Sequence, residues 1–110
     1  MSNPVVARLE SVLAAGKDTA LLRFGLGSEY LKLDATEMAI HHLHVAVHLD
    51  PDYSAAWKKL GQAHEQAGQP MMAMETYQHG ITVAEARGDL QAAREMKVFL
   101  GRLQRGRPAS

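Results

Sequence analysis

Apolar residues recur along this chain at the three-and-four spacing of a helix face, not in the strict alternation of a half-buried strand. Val5, Val6, Leu9, Val12 and Leu13 form a first stripe, with Asn3 as its candidate N-cap. Pro4 falls in the first turn, where its missing N–H costs nothing. Gly16 stops that helix, and Asp18 or Thr19 can cap a second, which carries Leu22, Leu26, Tyr30 and Leu33 at helical spacing. Asp34 to Thr36 make a turn, and a third helix opens with Thr36, Met38 and Ala39. It must end before Pro51, because a proline pushes the preceding Asp50 out of helical geometry. A fourth helix runs from Tyr53 or Ser54 to Gly68, and Pro70 opens a long fifth that reaches about Arg87. Gly88 and Asp89 stop and restart the chain. The sixth helix then carries Leu90, Ala93, Met96, Leu100 and Leu103 on one side and fades at Gly106 and Pro108. Beta-branched and aromatic residues are sparse, and no Asn-Gly or Asp-Gly hairpin turn occurs. The pattern predicts an all-α fold of about six helices whose short turns force sequence neighbours to pack antiparallel.

The helices repeat in pairs. A shift of 34 residues aligns Leu26 with Leu60, Gly27 with Gly61, Tyr30 with His64, Met38 with Met72 and Ala39 with Ala73. It also aligns Leu43 with Tyr77, Ala46 with Gly80 and Val47 with Ile81. Identity at this offset is poor, but size is kept: small residues where two helices must approach, large ones beside them. Through Trp57, Leu60, Gly61, Ala73 and Tyr77, the stretch 54–87 resembles the tetratricopeptide repeat family, whose unit is a 34-residue helix pair. The stretch 20–53 resembles it through Leu26, Gly27, Tyr30, Ala39, Ala46 and Pro51, with Arg23 at the family's tryptophan position and Leu43 at its aromatic one. His64, Gly80 and Glu85 depart from the family's tyrosine, alanine and proline. Without that proline, nothing ends the fifth helix at Ala84, so it is expected to run one turn further. The resemblance implies a single domain, an antiparallel helix-pair α-solenoid. Residues 1–19 would be an N-terminal capping helix, 20–53 and 54–87 two full units, 88–106 a divergent capping helix and 107–110 a disordered tail. Arg94 and Glu95 stand where Leu and Gly would recur in a third full unit.

Composition narrows the function. In 110 residues there is room for one domain, and 46% hydrophobic with 22% charged residues is an ordinary globular balance. Twelve basic residues against twelve acidic ones argue against a globally basic nucleic-acid binder. That zero averages two unlike parts: residues 1–86 hold six basic and ten acidic residues, a balance of −4, and residues 87–110 hold six and two, a balance of +4. The basic end is expected to pack on the acidic body ahead of contacting an anionic partner, because opposite charges on neighbouring helices need no third party. No apolar run suits a membrane span, and Arg8 and Glu10 interrupt the N-terminal apolar stretch in a way unlike a signal peptide. With no cysteine there is no disulfide and no thiolate chemistry, which fits a cytoplasmic location.

Candidate chemistry is thin. Neither a phosphate-binding loop nor a His-Glu-x-x-His run nor a Gly-x-Ser-x-Gly elbow occurs, so no enzyme activity and no cofactor are expected. Gly25-Leu26-Gly27-Ser28 looks glycine-rich, but it lies within a helical stretch where close packing accounts for Gly27. His41, His42, His44 and His48 crowd the third helix. Glu37, His41, His44 and His48 share one narrow stripe, and His44 with His48 is the best-spaced pair. Such a stripe could chelate a divalent metal or charge below about pH 6.5, making a metal- or pH-responsive protein the alternative function. It could equally be a solvated face, and no metal site is assigned. Met71, Met72 and Met74 open the fifth helix, where at least two of the three are expected in the core.

The resemblance implies a binding role. In that family the first helix of each unit lines a concave groove that holds an extended peptide or a partner's tail. Carried over, the groove residues are Leu21, Phe24, Ser28, Leu31 and Lys32 from the first unit, and Ala55, Lys58, Lys59, Gln62, Glu65 and Gln66 from the second. Lys58 and Gln62, one turn apart, could hold a carboxylate by one charge and one amide donor. Phe24 and Ser28 occupy the matching places of the first unit, which makes a chaperone-tail clamp a poor fit and a partly apolar groove a better one. The expected function is a monomeric, non-catalytic interaction module whose partner is another protein or peptide, not a membrane or nucleic acid.

Overall fold

The computed structural model describes residues 3–106 and contains six helices: α1 (Pro4–Ala14), α2 (Ala20–Lys32), α3 (Thr36–Leu49), α4 (Ser54–Gln66), α5 (Pro70–Arg87) and α6 (Leu90–Arg105). The expected tail at 107–110 lies outside the described residues. Asn3 caps α1 by accepting from the amides of Val5 and Val6, and Thr19, rather than Asp18, caps α2. Asp18 is spent elsewhere, on Arg23. At the end of α5, Gly88 takes the left-handed conformation (φ 81°) that releases the chain, and Asp89 caps α6 at once through the Ala92 amide. The long α5 follows from the absent proline.

Two layers result. α2 packs on α3, α3 on α4, α4 on α5 and α5 on α6, and α1 meets only α2 through its backbone. One core gathers Ala39, Leu43, Ala46, Val47, Ala56, Leu60 and Ala63, and a second gathers Ala73, Tyr77, Ala84, Ala92, Ala93 and Met96. Trp57 packs against both and joins them. The small residues aligned by the repeat are where helices come closest. A methyl group on Gly27 would overlap the Leu43 side chain, and one on Gly61 would fall inside the Tyr77 ring. At Gly80 it would meet both the Met96 sulfur and the Trp57 β-carbon, so α4, α5 and α6 converge there. Met96 is thus the residue through which α6 enters the core, fully buried, whereas Glu95 is left half-buried beside it.

The methionine cluster departs from expectation. Only Met74 is core, while Met71 and Met72 are 55% and 44% exposed. All three lie in the first turn and a half of α5, and only Met74 is among the buried residues of that helix.

Candidate functional site

α2 approaches α4 and α4 approaches α6, whereas α3 and α5 do not meet. The layer whose helices lie closer together is the inner side of the curve, so α2, α4 and α6 line the concave face.

The eleven residues that the family resemblance assigns to this face fall into two groups. The first group is already occupied by bonds within the fold, three of its residues between elements and one within α2. Lys58 Nζ is 2.9 Å from Glu95 Oε1 on α6. Glu65 accepts from the Tyr77 hydroxyl and, at 2.9 Å, from Arg102 Nη2. Burial and the adjoining Glu65 carboxylate push the Tyr77 phenol far above its ordinary range, so it stays a neutral donor. The Gln66 amide donates to the Leu31 carbonyl and to Asp34, tying α4 back to the end of α2. Lys32 pairs with Glu29 at 2.9 Å along its own helix. Lys58 is therefore held by Glu95 rather than poised with Gln62, a role the sequence could not show because Glu95 lies one helix pair away.

The second group makes no side-chain hydrogen bond or ion pair among the described residues. Leu21 is 71% exposed. Phe24 is half-buried, its ring 5.1 Å from that of Tyr53, with one side on the core. Leu31, Ala55 and Gln62 are half-buried along the same face. The Ser28 hydroxyl is shielded and has no hydrogen-bond partner among the described residues. Lys59 is half-buried and makes no ion pair among the described residues. Burial, reinforced by Lys58 and Lys32, pulls its ammonium below the usual lysine range. A cation held this way next to apolar surface gains from any anion that arrives, because the cost of burial is then met by a charge partner.

The basic end of the chain is partly absorbed by the body. Arg102 reaches Glu65 and Lys97 reaches Glu85 at 2.8 Å, while Arg94 and Arg105 stay exposed on α6 without an ion pair among the described residues. Arg107 lies outside the described residues.

The histidine stripe does not assemble a metal centre: among the described residues no group of three or more His, Cys, Asp or Glu side chains could hold a metal ion. His41, His44 and His48 are exposed, and the nearest imidazole to His44 is His64 of α4, with ring centroids 6.2 Å apart. Burial, then His64 and His41, lower the His44 value. The histidine built into the fold is the one off the stripe, His42, which is 3% exposed. No helix among the described residues is long and apolar enough to cross a membrane.

No protein-family model matches the chain. A TPR repeat-containing protein of Pseudomonas aeruginosa is 47% identical over 103 residues, covering 94% of this chain and 98% of that protein. A protein of Bordetella parapertussis solved in solution superimposes with a TM-score of 0.83 at 40% identity, over 94% of this chain and 90% of that one. A tetratricopeptide repeat domain protein from Salinibacter ruber superimposes with a TM-score of 0.77 at 26% identity, over 86% of this chain and 94% of that one.

Proposed function

Since the chain belongs to the tetratricopeptide repeat family, we propose that it is a non-catalytic protein–protein interaction module that holds a peptide or partner segment on its concave face. The observation that carries this reading is the unspent chemistry of that face. Among the described residues, half-buried Lys59 has no anion and the Ser28 hydroxyl no partner, and Leu21 presents a large apolar side chain to solvent. Elsewhere on α4, polar side chains are consumed by the fold itself, as with Lys58, Glu65 and Gln66. A bound segment would lay apolar side chains on Leu21 and Phe24 and direct an acceptor to Lys59 and Gln62. Two full units with a cap at each end, acting as a monomer in the cytoplasm, is the organisation that suits this role.

The test is affinity purification from cell extract with the wild type, a Leu21→Asp/Lys59→Glu variant and a control altered on the outer side, Glu75→Ala/Gln78→Ala. Both pairs of positions avoid the fully buried core. Loss of partners with the concave-face variant and their retention with the control supports the groove. Identical partner sets for all three proteins would sink it.

A further inference from the structure

Four charged or titratable side chains that the concave face does not use meet where α1, the α1–α2 loop, α2 and α3 come together. Arg23 grips Asp18 with two bonds, Nε to Oδ1 at 2.7 Å and Nη2 to Oδ2 at 2.9 Å. Its remaining arm, Nη1, is 3.0 Å from Nδ1 of the buried His42. A guanidinium has donors only, so His42 Nδ1 must be the acceptor, and the proton of the neutral ring sits on Nε2. Nε2 faces Glu10 Oε1 of α1 at 3.5 Å, too long for a hydrogen bond, and both atoms are buried and without a hydrogen-bond partner among the described residues. The Tyr30 ring lies parallel to the imidazole, centroids 5.5 Å apart.

We propose that α1 closes over a neutral His42 near neutrality and opens on acidification, with Glu10, Asp18 and Arg23 as the charged groups that face the ring. The only nitrogen of His42 free to take a proton is the one that receives Arg23, so charging the ring replaces a hydrogen bond with two donors facing each other. The groups around the ring are Glu10 from α1, Asp18 from the loop, Arg23 and Tyr30 from α2, and His41 from α3. Burial lowers the His42 value most, Arg23 and His41 lower it too, and Glu10 and Asp18 oppose them without reversing the direction. The folded ring is therefore harder to charge than the unfolded one. Its contribution is present above the ordinary value of 6.5 and is lost as pH falls below it towards the folded value.

Of the elements around His42, α1 is the one that can leave cheaply. It buries no residue fully, whereas α2 and α3 share Leu26, Gly27, Ala39 and Leu43 in the core. Opening of α1 lets water reach the charged ring while that core stays closed.

Hydrogen exchange on the full chain at about pH 7.5 and about pH 5.5, corrected for intrinsic rates, brackets the ordinary imidazole range and reads this directly. Amides of residues 5–14 are expected to lose protection in acid relative to those of 71–87. His42→Asn, which offers Arg23 an acceptor but never charges, is expected to show no such loss. Glu10→Gln is expected to lose protection at least as far as the wild type, which separates His42 from protonation of Glu10. Equal or greater α1 protection in acid, the same loss in His42→Asn, or no loss in Glu10→Gln would each overturn the proposal. Should His42→Asn be unfolded at neutral pH, the wild type and Glu10→Gln decide it between them.

Discussion

Two glycine-to-alanine changes in the middle of helices should move stability in opposite directions. In α2, a β-carbon on Gly25 would lie 3.6 Å from Leu9 Cδ1, an ordinary van der Waals contact. Gly25→Ala therefore keeps only the helix benefit of alanine, a gain of about 0.5–1 kcal/mol. In α4, a β-carbon on Gly61 would come within 2.6 Å of Tyr77 Cδ1 and 2.7 Å of its Cζ. That ring cannot step aside, because it is fully buried and its hydroxyl is bonded to Glu65. Overpacking of this kind costs about 1–3 kcal/mol, and separating α4 from α5 would also strain the Tyr77–Glu65 bond. Set against the same helix benefit, Gly61→Ala should be destabilised by about 2 kcal/mol net, some 2–3 kcal/mol apart from Gly25→Ala. Urea denaturation followed by far-UV circular dichroism measures both, provided the slope with denaturant is unchanged. A Gly61→Ala protein as stable as Gly25→Ala would refute the claim that the small residues of the repeat are there for close approach.

Met96→Ala is expected to cost about 2–5 kcal/mol, since the side chain is fully buried against Gly80; a loss within measurement error in the same urea experiment would mean that α6 is a dispensable cap. Asp89→Ala removes an N-cap and the acceptor for the Ser54 hydroxyl, 2.7 Å away, and is expected to cost about 1–2 kcal/mol by thermal or urea unfolding. The Ser54 bond, then the Ala92 amide, hold the Asp89 carboxyl below its ordinary 3.8, so its contribution is present above that value and lost as pH falls through the folded one. The acid limb of a stability–pH curve should accordingly flatten in Asp89→Asn, and an unchanged limb would contradict this assignment.

Helix ends were legible because their causes are local. Asn3 beside Pro4, the proline after Asp50 and the glycine before Asp89 each act within a turn or so of their own position, and the observed helices begin and end there. The pairing of helices was legible for a related reason: a glycine opposite a large side chain leaves a size signature at a fixed interval, as Gly61 and Tyr77 do. The assignment of residues to an inner face rested on the family resemblance alone, because periodicity carries no curvature.

Periodicity states which side of a helix is apolar, but it is silent about what stands opposite. It could not separate Met74 from Met71 and Met72, because burial depends on what packs against each position. Nor could it show that Lys58 is bonded to Glu95 or Glu65 to Arg102, since those partners are 37 residues apart and the bonds exist only once α6 lies along α4. His42 looked like one of four similar histidines, and the tertiary structure alone singles it out by closing Arg23, Glu10 and Tyr30 around it. The sequence by itself determined six helices and their antiparallel pairing, because propensity, capping and size complementarity act at short or regular range. Only the tertiary structure decided which charges are spent in holding the helices together and which, like Lys59, make no ion pair among the described residues, because electrostatic pairing depends on distances that chain folding creates.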